Sequence, residues 1–156
     1  KEGKFPEITE VHPGGRVIGD ILYTRTFGNT REACALTVLT AVMGTSHPGH
    51  AVIDAGRKTF GAESMIDHRE MPGFFWNGRP SYGSIQSRPD LWLGRLAAES
   101  AWVYYTNPKK KLTLGERLEI IPNNATLVVN IHDKLYGVRN GVVEKVISVT
   151  GRGRGN

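Results

Sequence analysis

The sequence has very little cysteine and no long apolar stretch. Cys34 is the only cysteine among 156 residues, so the chain forms neither an internal disulfide nor a zinc cage built from cysteines. Every apolar run is interrupted by glycine, threonine or a charged residue well before the roughly 20 residues that a membrane-spanning helix needs. These shortages exclude a disulfide-stapled miniprotein and a helical membrane protein.

Targeting and phosphate-binding signals are also missing. No apolar segment followed by a small-residue cleavage site opens the sequence, so we expect no signal peptide. A single cysteine favours a reducing compartment, and we therefore expect a cytoplasmic protein. Neither a GxxxxGK[ST] motif nor a GxGxxG motif between a strand and a helix occurs, so the many glycines do not build a phosphate loop.

What the sequence does contain favours β structure. Nineteen glycines and eight prolines separate short segments rich in Val, Ile, Leu, Thr and Tyr, which suit a pleated surface. The pattern predicts a single mainly β domain over residues 1–156, an antiparallel barrel or sandwich. The predicted strands are residues 16–24, 33–43, 51–56, 92–96, 101–105, 117–121, 127–131, 135–139 and 142–149.

Turn signals predict how some of these strands pair. Asn140-Gly141 favours a two-residue hairpin, because both central residues of a type I′ turn need positive φ. The turn-rich residues 44–49 predict a hairpin between 33–43 and 51–56, although the alanines and leucines of 33–43 also permit a helix. Residues 57–89 show no period, and their aromatic side chains predict a loop packed on a neighbouring part of the fold.

Charged and polar clusters are the first candidates for chemistry. Asp54 and Lys58 lie at the end of an apolar run, where they either orient a substrate or form a surface ion network. The His132-Asp133 pair either positions an imidazole for proton transfer or is an exposed turn. Asn123-Asn124 either belongs to a site or connects two strands.

Taken in order, five segments resemble the C-terminal domain of the D-threonine aldolase and D-serine dehydratase family, which are pyridoxal-phosphate (PLP) enzymes of fold type III with an alanine-racemase-like barrel. The first segment is followed by Asp20 and Tyr23, which match a downstream Asp and aromatic residue of the family. The matching segments are residues 9–15, 35–39, 52–58, 114–123 and 146–153.

The resemblance implies an all-β domain docked on a PLP-binding (β/α)8 barrel, with the active site between them and usually a homodimer. A barrel of that type takes roughly 200–250 residues, so it does not fit in this sequence beside the β domain. We therefore expect a fragment, a processed product or one subunit of a split enzyme. The barrel or a partner chain supplies the Schiff-base lysine, and this chain alone does not hold PLP covalently.

The resemblance also exposes substituted positions. In the family, Pro-Asn is followed by His, one residue, and then Cys or Asp, and that pair binds zinc or manganese; here the positions are Asn124 and Thr126. The family's Glu-His-Gly corresponds to Glu99-Ser100-Ala101. Amide and hydroxyl groups are poor ligands for transition metals, so we expect no metal ligand.

These positions define the predicted site. We expect four residues to face the substrate: Asn124, Thr126, Ser100 and Glu99. We expect four others to bind the substrate or to support these residues: Asp54, Lys58, Tyr23 and His132.

Three functions remain open from the sequence. The first is the β domain or subunit of a PLP-dependent lyase, aldolase or racemase-like enzyme that acts on D-amino or hydroxy amino acids without a metal and is inactive as this chain alone. The second is a catalytically silent assembly subunit of such an enzyme. The third is a nucleic-acid-binding β-barrel. It would use the cations that account for the net charge of +5, namely residues 109–111, Arg152 and Arg154, together with three aromatic residues, Phe74, Phe75 and Trp76.

Overall fold

The computed structural model describes residue 5, residues 7–62 and residues 75–154. Within this part of the chain, three short α-helices accompany ten strands. The helices are α1 (Ile21–Phe27), α2 (Arg57–Phe60) and α3 (Ala125–Ile131). The strands are β1 (Val38–Gly44), β2 (His50–Ile53), β3 (Phe75–Trp76), β4 (Arg79–Pro80), β5 (Gly83–Ile85), β6 (Leu91–Leu96), β7 (Ala101–Tyr105), β8 (Arg117–Pro122), β9 (Lys134–Arg139) and β10 (Val142–Ser148).

Six antiparallel strands form a nearly closed barrel in the order β5-β8-β1-β2-β7-β6. The two edge strands approach each other, since the Tyr82 N–H donates to the carbonyl of Leu93 at 3.0 Å. Alternate residues point inward and fill the centre, as the period of a strand requires. The most deeply buried of them are Ile53, Leu93, Val103 and Ile120. The predicted mainly β, barrel-like fold is confirmed.

The remaining strands form two separate hairpins. β9 pairs with β10, and the predicted Asn140-Gly141 turn is confirmed because both residues have positive φ, 50° and 76°. β3 pairs with β4 and folds over the outside of the barrel, where the Trp76 ring lies 6.2 Å from that of Tyr104. This contact agrees with the predicted packing of residues 57–89 on a neighbour. Phe74 lies outside the described residues.

Two predicted strands are wrong, and both contain helices. Residues 16–24 hold the end of a 3-10 turn, Gly14–Val17, and the start of α1. Residues 127–131 belong to α3. In each case an N-cap side chain outweighs the β-branched composition: Asp20 accepts from the Tyr23 N–H, and Asn124 accepts from the first amides of α3.

Two further predictions need partial correction. Of the predicted strand 33–43, only residues 38–43 belong to a strand, β1, because a 3-10 turn, Arg31–Ala33, and the connecting residues 34–37 precede it. The predicted strand 51–56 is β2, which ends at Ile53. The hairpin between the two segments is confirmed. None of the helices in the described part of the chain has the length and apolar composition for crossing a bilayer.

Asp20 joins the two longer helices. Its side chain is 1% exposed; one carboxylate oxygen accepts from the Tyr23 N–H at 2.9 Å and the other accepts from the Ala125 N–H at 2.9 Å. The Leu22 N–H donates to the carbonyl of Asn123 at 3.2 Å. One carboxylate therefore satisfies the starts of both α1 and α3 and fixes them against each other.

Asp54, the residue directly after β2, holds the end of that strand against β1. Its carboxylate accepts from the Thr40 hydroxyl and from the Ala41 N–H, at 2.5 and 2.8 Å. These hydrogen bonds favour the charged form, the Thr40 hydroxyl most strongly, and hold the pKa of Asp54 below its usual value. Asp54 thus has a structural role in the hairpin.

Replacing Asp20 with Ala should lower the free energy of unfolding by about 2–3 kcal/mol, because two buried helix-terminal amides lose their acceptor. Urea unfolding followed by far-UV circular dichroism measures this change. Glu7→Ala, at an exposed position, is the matched control and should leave the midpoint in place. An Asp20→Ala midpoint equal to that of the wild type would contradict the double-cap interpretation.

Replacing Asp54 with Ala should cost about 1 kcal/mol at neutral pH, the usual net value of a hydrogen bond. Since the folded pKa of Asp54 is depressed, its contribution is complete above the ordinary pKa of an aspartate and is lost as the pH falls through the lower folded pKa. Urea midpoints of the two proteins should therefore converge in strong acid. A difference that stays constant from neutral pH to strong acid would show that the charge of Asp54 has no part in it.

Candidate functional site

Six of the predicted site residues lie in connections at the same end of the barrel. Val38 lies opposite Ile120, Ile53 lies opposite Ala101, and β6 ends beside the start of β7. This register brings together residues 54–58, 97–100 and 122–126, which we call the rim. The rim contains Asp54, Lys58, Glu99, Ser100, Asn124 and Thr126.

Asn124 and Thr126 form one hydrogen-bonded unit at the start of α3. The side-chain oxygen of Asn124 accepts from the Thr126 N–H at 3.0 Å, from the Leu127 N–H at 3.3 Å and from the Thr126 hydroxyl at 2.6 Å. The carbonyl oxygen of an amide has two lone pairs, so three donors saturate it. The groups left for another molecule are the Asn124 amide N–H bonds and the lone pairs of the exposed Thr126 hydroxyl.

This arrangement does not fit the transition metal that the family resemblance implies. The Asn124 oxygen is saturated by hydrogen bonds, and a hydroxyl and an amide are weak ligands for zinc or manganese. Ser100, the third substituted position, offers another hydroxyl. Within the described residues, no three side chains from His, Cys, Asp and Glu lie close enough together to hold a metal ion.

Tyr23 lies behind this unit. Tyr23 and Thr126 both approach Gly15, where an added Cβ would lie 3.3 Å from the Tyr23 ring and 3.1 Å from the Thr126 methyl group. The Tyr23 ring stacks on Phe27 with 5.3 Å between the centroids. A shallow, mostly apolar cavity of about 290 Å³ opens beside Gly15 and Thr126, with Val149 on its far wall. Tyr23 is therefore a neighbour of the predicted substrate-facing pair.

Lys58 and Glu99 form an ion pair on another part of the rim, with 2.6 Å between the ammonium nitrogen and the carboxylate oxygen. Both side chains are exposed. The hydrogen bond from Lys58 lowers the pKa of Glu99, so Glu99 is a carboxylate near neutral pH. A surface pair of this kind contributes little stability, and both groups remain open to a substrate.

Gly56 makes that pair possible by letting two backbone segments meet. A side chain at Gly56 would place its Cβ 2.6 Å from the Ala97 carbonyl and 2.6 Å from the Ser100 nitrogen. In this close approach the Lys58 N–H donates to the carbonyl of Ala98 at 3.0 Å. Gly56 is a structural residue of the rim that sequence reasoning missed; its signal was a glycine three residues after an apolar strand.

His132 joins α3 to α2. Its Nε2 lies 3.1 Å from the carbonyl oxygen of Thr59, the residue after Lys58. The neighbouring Asp133 pairs with Arg152 instead of His132, which agrees with the second of the two interpretations of this pair, an exposed turn. Asp20 is a second residue whose importance the sequence understated, although an aspartate before an apolar run is a helix-start signal.

The structure therefore divides the predicted site into two groups and one separate residue. The first group is Asn124, Thr126 and Tyr23. The second is Lys58, Glu99 and Ser100, which His132 links to α3 through Thr59. Asp54 is on the rim and is occupied by β1. That these groups bind a substrate remains a prediction.

Comparisons with known proteins agree with the fold. The family model "Putative serine dehydratase domain" matches residues 35–138. The 3-hydroxy-D-aspartate aldolase of Paracoccus denitrificans is 31% identical over 121 residues, which is 78% of this chain and 27% of that protein. The D-threonine aldolase of an Arthrobacter species is 29% identical over 119 residues, with 76% and 27% covered. This chain thus spans little more than a quarter of the curated relatives that it matches.

Solved structures give the same result. The D-threonine aldolase from Filomicrobium marinum superposes with a TM-score of 0.72 and 25% identity, over 92% of this chain and 36% of that one. The D-threo-3-hydroxyaspartate dehydratase from Delftia sp. HT23 shares the fold, with a TM-score of 0.69 and 22% identity over 83% and 36% of the two chains. The chain therefore belongs to the D-threonine aldolase and D-serine dehydratase family of fold-type III enzymes, whose antiparallel β domain it contains.

Proposed function

We propose that this chain is the β domain of a PLP-dependent lyase that acts on a D-configured hydroxy amino acid, with a substrate site that holds no metal at Asn124 and Thr126. The family membership supports the reaction class. The observation that carries the proposal is the Asn124–Thr126 unit on the rim, which presents hydrogen-bonding groups where the resemblance implies metal ligands.

The cofactor belongs to another part of the proposed enzyme. The rim of this chain has no phosphate loop, and its lysine, Lys58, is paired with Glu99. The proposed enzyme therefore contains a PLP-binding barrel, as a further domain or as a partner chain, and a homo- or hetero-oligomer is the expected assembly. When bound, PLP stabilises the carbanion formed at the α-carbon. The cytoplasm is its proposed location.

The residues of this chain then orient the substrate. The Asn124 amide donates a hydrogen bond to a carboxylate or hydroxyl oxygen of the substrate, while its own oxygen stays fixed by α3. Thr126 accepts a hydrogen bond from a substrate hydroxyl. Ser100 supplies a second hydroxyl on the rim. These contacts suit the polar ends of a hydroxy amino acid.

Charged and aromatic side chains support this arrangement. Glu99, held as a carboxylate by Lys58, is the group on the rim best suited to bind the substrate ammonium. Tyr23 packs beside Gly15 and Thr126 at the start of α3, and His132 holds the end of α3 against α2 through Thr59. Asp54 contributes by fastening the strand that leads to Lys58.

A catalytically silent assembly subunit is the second candidate, and the substitution of three family site positions favours it. The third candidate, nucleic-acid binding, loses support from the outer face of the barrel. There the ring of Trp102 stacks on His50 at 4.6 Å and contacts the guanidinium of Arg95 at 4.0 Å. Trp76, one of the three aromatic residues of that hypothesis, lies 6.2 Å from Tyr104. These rings are engaged within the fold and are less available for stacking a base.

Native mass spectrometry and visible absorbance of the protein purified from its own source test the proposed function. We expect a yellow assembly, with PLP and additional polypeptide mass beyond this chain, that turns over a D-hydroxy amino acid. Turnover should be unchanged by dialysis against EDTA and by added Zn²⁺ or Mn²⁺, because the Asn124–Thr126 unit does not ligate a metal. A colourless preparation of this chain alone would overturn the proposed enzymatic function. A yellow assembly without turnover would favour the catalytically silent assembly subunit.

Replacing Asn124 with Ser separates helix capping from substrate binding. Serine is as good an N-cap as asparagine, so α3 should persist, while the amide donor is lost. We expect the substrate KM of the assembled enzyme to rise about tenfold, the effect of losing one hydrogen bond to a charged group. The thermal midpoint should change little. Asn124→Ala is the control that loses both functions, and an unchanged KM in both variants would exclude Asn124 from the site.

A further inference from the structure

The β9–β10 hairpin carries an apolar face that nothing in the described chain covers. Val143 lies opposite Val138, and Val146 lies opposite Tyr136, so these four side chains share one face. We call them the hairpin patch. Their exposed fractions are 63% for Tyr136, 60% for Val138, 54% for Val143 and 53% for Val146. A contiguous apolar surface of this kind marks an interaction site.

The hairpin also lacks the support that two strands usually need. β9 and β10 form a two-stranded sheet separate from the barrel, and all seven residues of β10 are exposed. An isolated two-stranded hairpin is marginally stable in water. Its pairing along six residue pairs, with a shift in register between Val143 and Lys145, is therefore a reason to expect a partner surface.

The root of the hairpin lies beside the candidate site. β9 follows His132, whose ring reaches the carbonyl of Thr59 in α2. The Val149 N–H donates to the carbonyl of Asp133 at 2.9 Å and closes the base. Val149 also lines the cavity that contains Thr126. From this root the six-residue strand β9 reaches about 20 Å.

We propose that the hairpin patch docks on the PLP-binding barrel of the enzyme. This inference rests on the proposed function. A PLP-binding barrel that faces Asn124 and Thr126 lies within reach of the hairpin, because the hairpin starts beside these residues and is about 20 Å (about six residues of strand) long. The occupant is a large apolar protein surface that covers the rim and the hairpin together. The arm then anchors the two parts and keeps water from the side of the site next to Thr126.

Two observations favour the barrel over a second copy of this chain. The matched relatives and solved chains are about three to four times longer than the aligned part, since only 27% and 36% of their lengths are covered, so in them this fold has other polypeptide to pack against. A stable interface buries about 800 Å² on each partner, more than four side chains supply. A partner that covers the rim as well meets that requirement.

Hydrogen exchange of residues 134–148 tests the docking. We compare this chain alone with the yellow assembly purified from its own source, in the wild type and in two variants. Val143→Glu charges the hairpin patch, and Val142→Glu is the matched control, because Val142 is 62% exposed on the opposite face of the same strand. Circular dichroism checks that both variants keep the fold of the chain.

We expect exchange in the assembly to be at least about tenfold slower than in the chain alone. Val143→Glu should restore the fast rate, and Val142→Glu should not. Equal rates in the yellow assembly and the isolated chain, or equal effects of the two variants, would overturn the docking while leaving the proposed enzyme intact. A chain that dimerises by itself and becomes monomeric with Val143→Glu would assign the patch to a second copy. A colourless preparation would instead remove the proposed function, and the docking with it.

Discussion

The carboxylate of Asp20 holds together the parts of the molecule that carry the candidate site. It is buried, and it accepts one hydrogen bond from the backbone of each of two helices, at Tyr23 and Ala125. A buried carboxylate is costly unless its oxygens are satisfied, and the free ends of α1 and α3 satisfy them. The position of Asn124, one residue before Ala125, follows from this bridge. Burial and the nearby Asp20 charge also raise the pKa of the Cys34 thiol, which is thereby kept unreactive.

The barrel explains why chemistry-bearing residues from distant segments meet. Antiparallel pairing returns every second connection to the same end of a sheet, so the segments after β2, β6 and β8 all emerge on the rim. Gly56 then allows the first and second of these segments to touch, because a Cβ would overlap the backbone of Ala97 and Ser100. The site is thus assembled from turns and helix caps, while the strands beneath it supply rigidity through buried side chains such as Ile53 and Ile120.

Most of the barrel could be predicted from the sequence, and the helices on its rim could not. Apolar segments between turn residues predicted five of the six barrel strands, all but β5, and both strands of the β9–β10 hairpin. Asn140-Gly141 specified the turn of that hairpin through local backbone geometry. Residues 127–131, Leu-Val-Val-Asn-Ile, have the composition of a strand, yet they form a helix because Asn124 and Asp20 satisfy its first amides. This capping depends partly on Asp20, which is 105 residues away from Ala125 in the sequence. The local composition around residues 127–131 therefore carries no sign of it. Likewise, the sequence placed Asp54 beside Lys58, but its engagement by Thr40 depends on strand register.

The same capping geometry accounts for the chemistry of the site. An oxygen that accepts three hydrogen bonds from α3 has no lone pair left for a metal, so at Asn124 capping and metal ligation exclude each other. In exchange, the cap fixes the orientation of the amide, because rotating it would set the amide NH₂ group against the two backbone N–H donors of Thr126 and Leu127. The remaining N–H groups are therefore held in one direction without any further support. A fixed neutral donor interacts with a carboxylate or hydroxyl oxygen through its direction, whereas a bound cation interacts through its charge. The proposed metal-free site depends on that difference.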